Sequence, residues 1–243
     1  KWVMKAANTY TGLTTLTAGT LNVGDGTDVL ASLGTNAVSI GAGTTLNFNH
    51  NAAVTVANAI SGAGQLNKLG GTTLSLTGVN SYTGATGTGT AGGVVFTNNA
   101  APTTVGFTGS GTVTIEPSTT FANAVTSNYT FANTISGFTW GKSSNVADVT
   151  VASPFSIAGP ISLYGGNINL NANVSSSLAN AALLFKASGN VTQASNVTLS
   201  SNGGDIVMAG GAGIASPTGS AYGIQAINLW YATLNAGAGD ISM

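Results

Sequence analysis

Short runs of alternating apolar and polar residues, each closed by glycine or asparagine, recur along this chain. Thr73-Leu74-Ser75-Leu76, Ile161-Ser162-Leu163, Ile168-Asn169-Leu170 and Ile227-Asn228-Leu229 are examples. In a strand, successive side chains point to opposite faces. Leu74 and Leu76 are therefore predicted to face a core with Ser75 outward, and Ile168 and Leu170 to do the same around Asn169. Glycine and asparagine tolerate the left-handed backbone that a sharp corner demands. Short strands and glycine corners that recur predict stacked rungs, the architecture of a β-solenoid. At roughly 20–25 residues per rung, the chain makes about ten rungs. Asn and Thr at recurrent positions are expected to form hydrogen-bonded ladders between rungs.

Two repeat styles follow one another. Tyr10-Thr11-Gly12 recurs as Tyr82-Thr83-Gly84, and Thr55–Gly62 recurs as Thr130–Gly137 at nearly the same long spacing. From about Ser153 the beat shortens to about half of that. Gly165-Gly166-Asn167-Ile168 is echoed by Gly203-Gly204-Asp205-Ile206, and that in turn by Gly239-Asp240-Ile241. No hydrophilic linker intervenes. One unbroken core is expected, with a sequence boundary near 150 separating segments 1–150 and 151–243.

Composition narrows the function classes. Only 5% of the 243 residues are charged, and the net charge is −1. Neutral polar side chains must therefore carry the surface, and no basic cluster is present to displace counterions from nucleic acid. With 43% hydrophobic residues in regular alternation, disorder is excluded as a reading of the 35 glycines. No apolar run approaches the roughly 18 residues of a spanning helix. An outer-membrane β-barrel would also alternate, but paired aromatic girdles are lacking. Lys1-Trp2-Val3-Met4-Lys5 has charge but no apolar core and no cleavage site after it, so it is not expected to be a signal peptide. The chain opens and closes on apolar strand-like segments, Trp2-Val3-Met4 and Ile241-Ser242-Met243. It therefore reads as a processed or excerpted piece of something longer, continuing into further repeats or self-associating head to tail.

The segment Ile60-Ser61-Gly62-Ala63-Gly64-Gln65-Leu66, Lys68, Gly70-Gly71, Thr73-Leu74-Ser75-Leu76, Asn80 and Tyr82-Thr83-Gly84 resembles the autotransporter-associated β-strand repeat of bacterial type V secretion passengers. The likeness covers roughly residues 1–140 and departs after Thr86, where Gly92-Gly93-Val94 replaces the expected Gly-Thr-Leu. From about residue 153 the Gly-Gly-Asn-Ile and Gly-Gly-Asp-Ile units look like filamentous-haemagglutinin repeats. The resemblance implies an all-β, right-handed parallel β-helix exported through an outer-membrane type V translocator. It also implies display at the surface of a Gram-negative bacterium or release outside it. The expected role is a structural stalk, filament or adhesin segment without catalysis, with a host or environmental glycan or surface receptor as partner. The rival reading is a carbohydrate-active or glycan-binding β-helix.

Candidate chemistry is sparse, and no catalytic, cofactor-binding or metal-binding residue is assigned. Asp25 and Asp28, in Gly24-Asp25-Gly26-Thr27-Asp28, are the one close acidic pair and superficially resemble a calcium β-roll repeat; a turn is the expected role. Asp205 and Asp240 read as equivalent corner residues that approach each other if their rungs are adjacent. Glu116 and Asp148 lack acidic neighbours in sequence. His50, the single histidine, is expected in a solvated loop, being a poor metal site without Cys or a second His. Trp140, Trp230, Tyr231, Tyr129, Tyr164 and Tyr222 could form a sugar-stacking row but read first as core or corner residues. The sequons at Asn128, Asn173, Asn190 and Asn196 are those expected by chance in so Asn-, Ser- and Thr-rich a chain.

Overall fold

The computed structural model describes residues 1–211, 227–229 (backbone only) and 233–243. All regular structure among them is β. Parallel strands stack as a β-solenoid of about nine turns, consistent with a right-handed parallel β-helix. Right-handed return between parallel strands is what strand twist favours. The stacking is parallel, unlike the antiparallel strands of an outer-membrane barrel, and sets that reading aside. The described residues form two compact units, Lys1–Ile115 and Glu116–Met243. The change in repeat style falls later, near residue 150.

In Lys1–Ile115 the strands form three faces. One contains Thr20–Val23, Thr45–Asn49 and Gln65–Leu69, the second Thr14–Leu16, Val38–Ile40, Ile60–Gly62 and Asn80–Tyr82, and the third Val54–Val56, Thr73–Leu76 and Gly93–Thr97. Along the third face Val56, Leu76 and Phe96 lie in register on successive turns. Leu74 and Leu76 are fully buried while Ser75 is half-exposed, as the alternation requires. Outside the first face runs an asparagine ladder. Asn67 donates to Asn47 Oδ1 at 3.1 Å, and Asn47 donates to Asn22 Oδ1 at 2.9 Å. The next residue in register is Gly87, where a side chain would collide with the Asn67 amide. The ladder stops there for want of space.

The long repeat of Tyr10 in Tyr82 is local and not a stacking period. Turns on the second face shorten one after another, from Thr14 to Val38, Ile60 and Asn80. Both copies nonetheless make the same bond, Tyr10 to Thr14 and Tyr82 to Thr86, each at 2.6 Å between hydroxyl oxygens. Thr14 lies on the second face and Thr86 on the first, so one sequence phrase serves two sides of the coil.

In Glu116–Met243 the core opens on aromatic packing. Phe131 sits 4.7 Å from Phe138 and 4.9 Å from Phe155 between ring centroids, with Trp140 and Tyr129 beside them. Ile168 and Leu170 are fully buried around a half-exposed Asn169. The second of the two short beats is a true turn, because Ile206 pairs with Ile241. The first is not. Ile168 pairs with Val149 and Val191 on one face, and Ile206 with Leu183 on another. Corners repeat one device, in which a side-chain oxygen accepts the backbone N–H of the following turn. Asp148 takes Asn167 N at 2.8 Å, Asn167 takes Asn190 N at 2.9 Å, and Asn173 takes Thr198 N at 2.8 Å. Asn180 and Asn196 occupy the left-handed region, with φ of 63° and 62°. Ile227–Leu229 is a strand, as the alternation predicts, but its side chains lie outside the described residues.

Candidate functional site

The aspartates lie in corners and turns, while Glu116 ends the strand Thr112–Glu116. Asp25 Oδ1 accepts Thr27 N and Oγ1 at 3.0 and 2.6 Å, its carboxylate pairs with Lys5 at 2.5 Å, and Asp28 Oδ2 accepts Asp25 N at 3.2 Å. Gly24 and Gly26 flank it at positive φ. Lys5, then Thr27, hold the Asp25 carboxyl well below the usual carboxylate range. The turn reading is the one the structure gives. Asp205 and Asp240 do meet across adjacent turns, with Asp240 N donating to Asp205 Oδ1 at 3.0 Å. Both residues are exposed, and the contact is a corner bond. Among the described residues no three His, Asp or Glu side chains gather around a point that could hold an ion.

His50 corrects an expectation. It is 3% exposed and not in a solvated loop. Its Nε2 lies 2.7 Å from Ala31 O, and its ring stacks near Phe48. A carbonyl can only accept, so Nε2 carries the proton. Nδ1 is left without a partner among the described residues. The polar neighbours Asn49 and Asn51 suggested solvent, but residues 24–37, a long connection between strands, fold over the ring. Ala31 and Leu33 are buried there.

Lys68 is an unexpected interior charge. It continues the inward phase of Leu66, lies in register with Phe48, and is 2% exposed. Its ammonium donates to the carbonyls of Gly70 at 2.7 Å, of Thr88 at 3.4 Å, and of Ala91. Burial lowers its pKa from the ordinary 10.5. Three corner carbonyls thus share one donor group. The alternation carried the signal: a lysine two positions after an inward leucine points inward.

A second group that the sequence left unassigned is a buried chain of hydroxyls. Thr86 donates to Thr104 Oγ1 at 3.1 Å, and Thr104 donates to Gly84 O at 2.6 Å. The Thr86 proton being committed, Tyr82 must donate to Thr86. Of the aromatic candidates, Trp140 is fully buried and Tyr129 nearly so, with burial pushing the Tyr129 hydroxyl up. Both are core residues. Tyr164 is half-exposed; Tyr222, Trp230 and Tyr231 lie outside the described residues.

A concave feature lies in Lys1–Ile115. Successive corners align into a shallow trough of about 390 Å³, lined by Thr44, Thr45, Ala63, Gln65, Ala85 and Val105 among others. Its lining is uncharged and small. Such a surface can offer hydroxyl and amide hydrogen bonds but no acid–base pair. No family model matches the chain, and no curated protein or solved structure matches it.

Proposed function

We propose that this chain is a structural segment of a large secreted surface protein of a Gram-negative bacterium, serving as part of a stalk, filament or adhesin. The observation that carries the reading is how the polar groups are used. The Asn22–Asn47–Asn67 ladder and the Asp148–Asn167–Asn190 corner bonds spend side-chain hydrogen bonds on neighbouring turns. In both runs asparagine supplies most of the bonds between turns, with Asp148 the one charged member. Low charge and absence of cysteine suit a chain that crosses an outer membrane unfolded and folds outside, turn upon turn. The repeat resemblance supports a type V translocator as the export partner. The test places the chain between a secretion signal and a generic type V translocator domain in a Gram-negative host. Surface display with protease-resistant strands is expected; retention in the periplasm would overturn the reading.

A second reading, glycan binding, draws on the trough alone. Its neutral lining suits an uncharged oligosaccharide. Titrating neutral oligosaccharides while following amide shifts of Gln65 and Ala85 tests it, and unmoved shifts would discard it.

A further inference from the structure

Asn202-Gly203 is the one Asn-Gly pair in the chain, and it sits at the end of strand Thr198–Asn202. Asn202 is exposed. Glycine after asparagine leaves the backbone nitrogen open to the side-chain carbonyl carbon, because no Cβ shields the approach. In the folded stack the two reacting groups are held apart by different turns. Asn202 Nδ2 donates to Ser177 O, on the preceding turn, at 2.9 Å. Gly203 N donates to Ala236 O, on the following turn, at 3.1 Å. The backbone of Gly237 covers that nitrogen, so that a Cβ there would lie 3.0 Å from Gly203 N.

We propose that Asn202 is a self-modification site whose rate is set by opening of the turn that carries Ala236 and Gly237. When that turn lifts, Gly203 N is released. It loses its proton to water and attacks Asn202 Cγ. An N–Cγ bond forms, the Cγ–Nδ2 bond breaks, and ammonia leaves with the transferred proton. Water then opens the resulting five-membered succinimide at either carbonyl, giving an aspartyl or isoaspartyl linkage. No oxidant, reductant or cofactor takes part.

The product does not return to the starting stack. The donor that bound Ser177 O is replaced by a carboxylate, which repels a carbonyl. The new charge lies close in sequence to Asp205, whose Oδ1 holds Asp240 N. An isoaspartyl linkage also adds a backbone atom between position 202 and Gly203, moving Gly203 N out of line with Ala236 O. Opening of this turn is thereby converted into a permanent loosening of it.

The experiment incubates the full chain in mildly alkaline buffer, folded and in concentrated urea, and follows position 202 by peptide mass spectrometry and isoaspartyl methyltransferase labelling. Conversion is expected in urea, and slower by about tenfold or more in the folded chain, the mark of a protected local opening. Leu234→Ala, in the covering turn and in register with Leu199, should fall between the two. Asn202→Gln should abolish the signal. Absence of conversion at position 202 in urea, equal rates folded and unfolded, or equal conversion at exposed Asn128 would each overturn the proposal. Should Leu234→Ala fail to fold, wild type in urea below its unfolding transition decides. A rate that rises before the transition supports a local gate, and one that follows global unfolding refutes it.

Discussion

Replacing Leu76 by aspartate probes the inside–outside assignment on which every coil depends. Leu76 is fully buried and sits in register between Val56 and Phe96, so apolar atoms bracket it from both neighbouring turns. Leu76→Ala removes the buried side chain and leaves a cavity, at a cost of about 2–5 kcal/mol. Leu76→Asp loses the same packing and adds a carboxyl with nothing to bond. Burial there would raise its pKa by up to about 3–5 units, of which about 3 count at neutral pH, at about 1.4 kcal/mol each. Leu76→Asp should therefore cost several kcal/mol more than Leu76→Ala, of the order of a whole domain's stability. Sign follows from linkage. The folded variant holds its proton more tightly than the unfolded chain, so the excess cost shrinks as pH falls toward the ordinary aspartate value of about 3.9. Ser75→Asp, one residue away and outward, should stay within about 0.5 kcal/mol of wild type. Urea unfolding followed by circular dichroism at two pH values measures all three. The reasoning fails if Ser75→Asp is the costlier change, or if Leu76→Asp melts like wild type.

The same contacts set four further outcomes. Asn47→Asp removes the donor to Asn22 and sets a carboxylate against its carbonyl oxygen, so a loss of about 1–3 kcal/mol is expected in urea unfolding. The buried Lys68 is lowered, so its penalty is full at neutral pH and fades as pH rises toward 10.5. Stability should climb through that window, and Lys68→Met should flatten the climb. The Tyr129 hydroxyl is raised, so the unfolded chain ionises first and stability should fall above about pH 10, an effect that Tyr129→Phe removes. Chelator should leave the melting temperature unchanged; a drop restored by calcium would revive an ion at Asp25 and Asp28.

Much of the fold was legible because its rule is local. Period-two alternation placed Leu74, Leu76, Ile168 and Leu170 inside. Left-handed Asn180 and Asn196 show asparagine used at corners in the way expected of the residue type, though neither was singled out as a corner. The same rule, applied to Lys68, would have put a charge in the core. What alternation does not encode is which turn lies against which. The echo of Tyr10 in Tyr82 preserves a hydroxyl bond yet lands on different faces. Successive turns differ in length, so no whole number of them matches the spacing of the phrase. Likewise Ile206 meets Ile241 but not Ile168, although all three follow the same glycine motif.

Sequence alone determined the class of fold, the inward and outward residues of Thr73–Leu76 and Ile168–Leu170, and the use of polar ladders, since these rest on side chains a few bonds apart. Tertiary structure decided the rest. It buried His50 beneath a connection whose own residues, Ala31 and Leu33, gave no sign of where they would fold. It gathered three corner carbonyls around the Lys68 ammonium. It also placed Ala236 and Gly237 over Gly203, across one whole turn of the coil. Contacts between turns depend on the length of every intervening loop, and loop length shifts register without changing the local pattern.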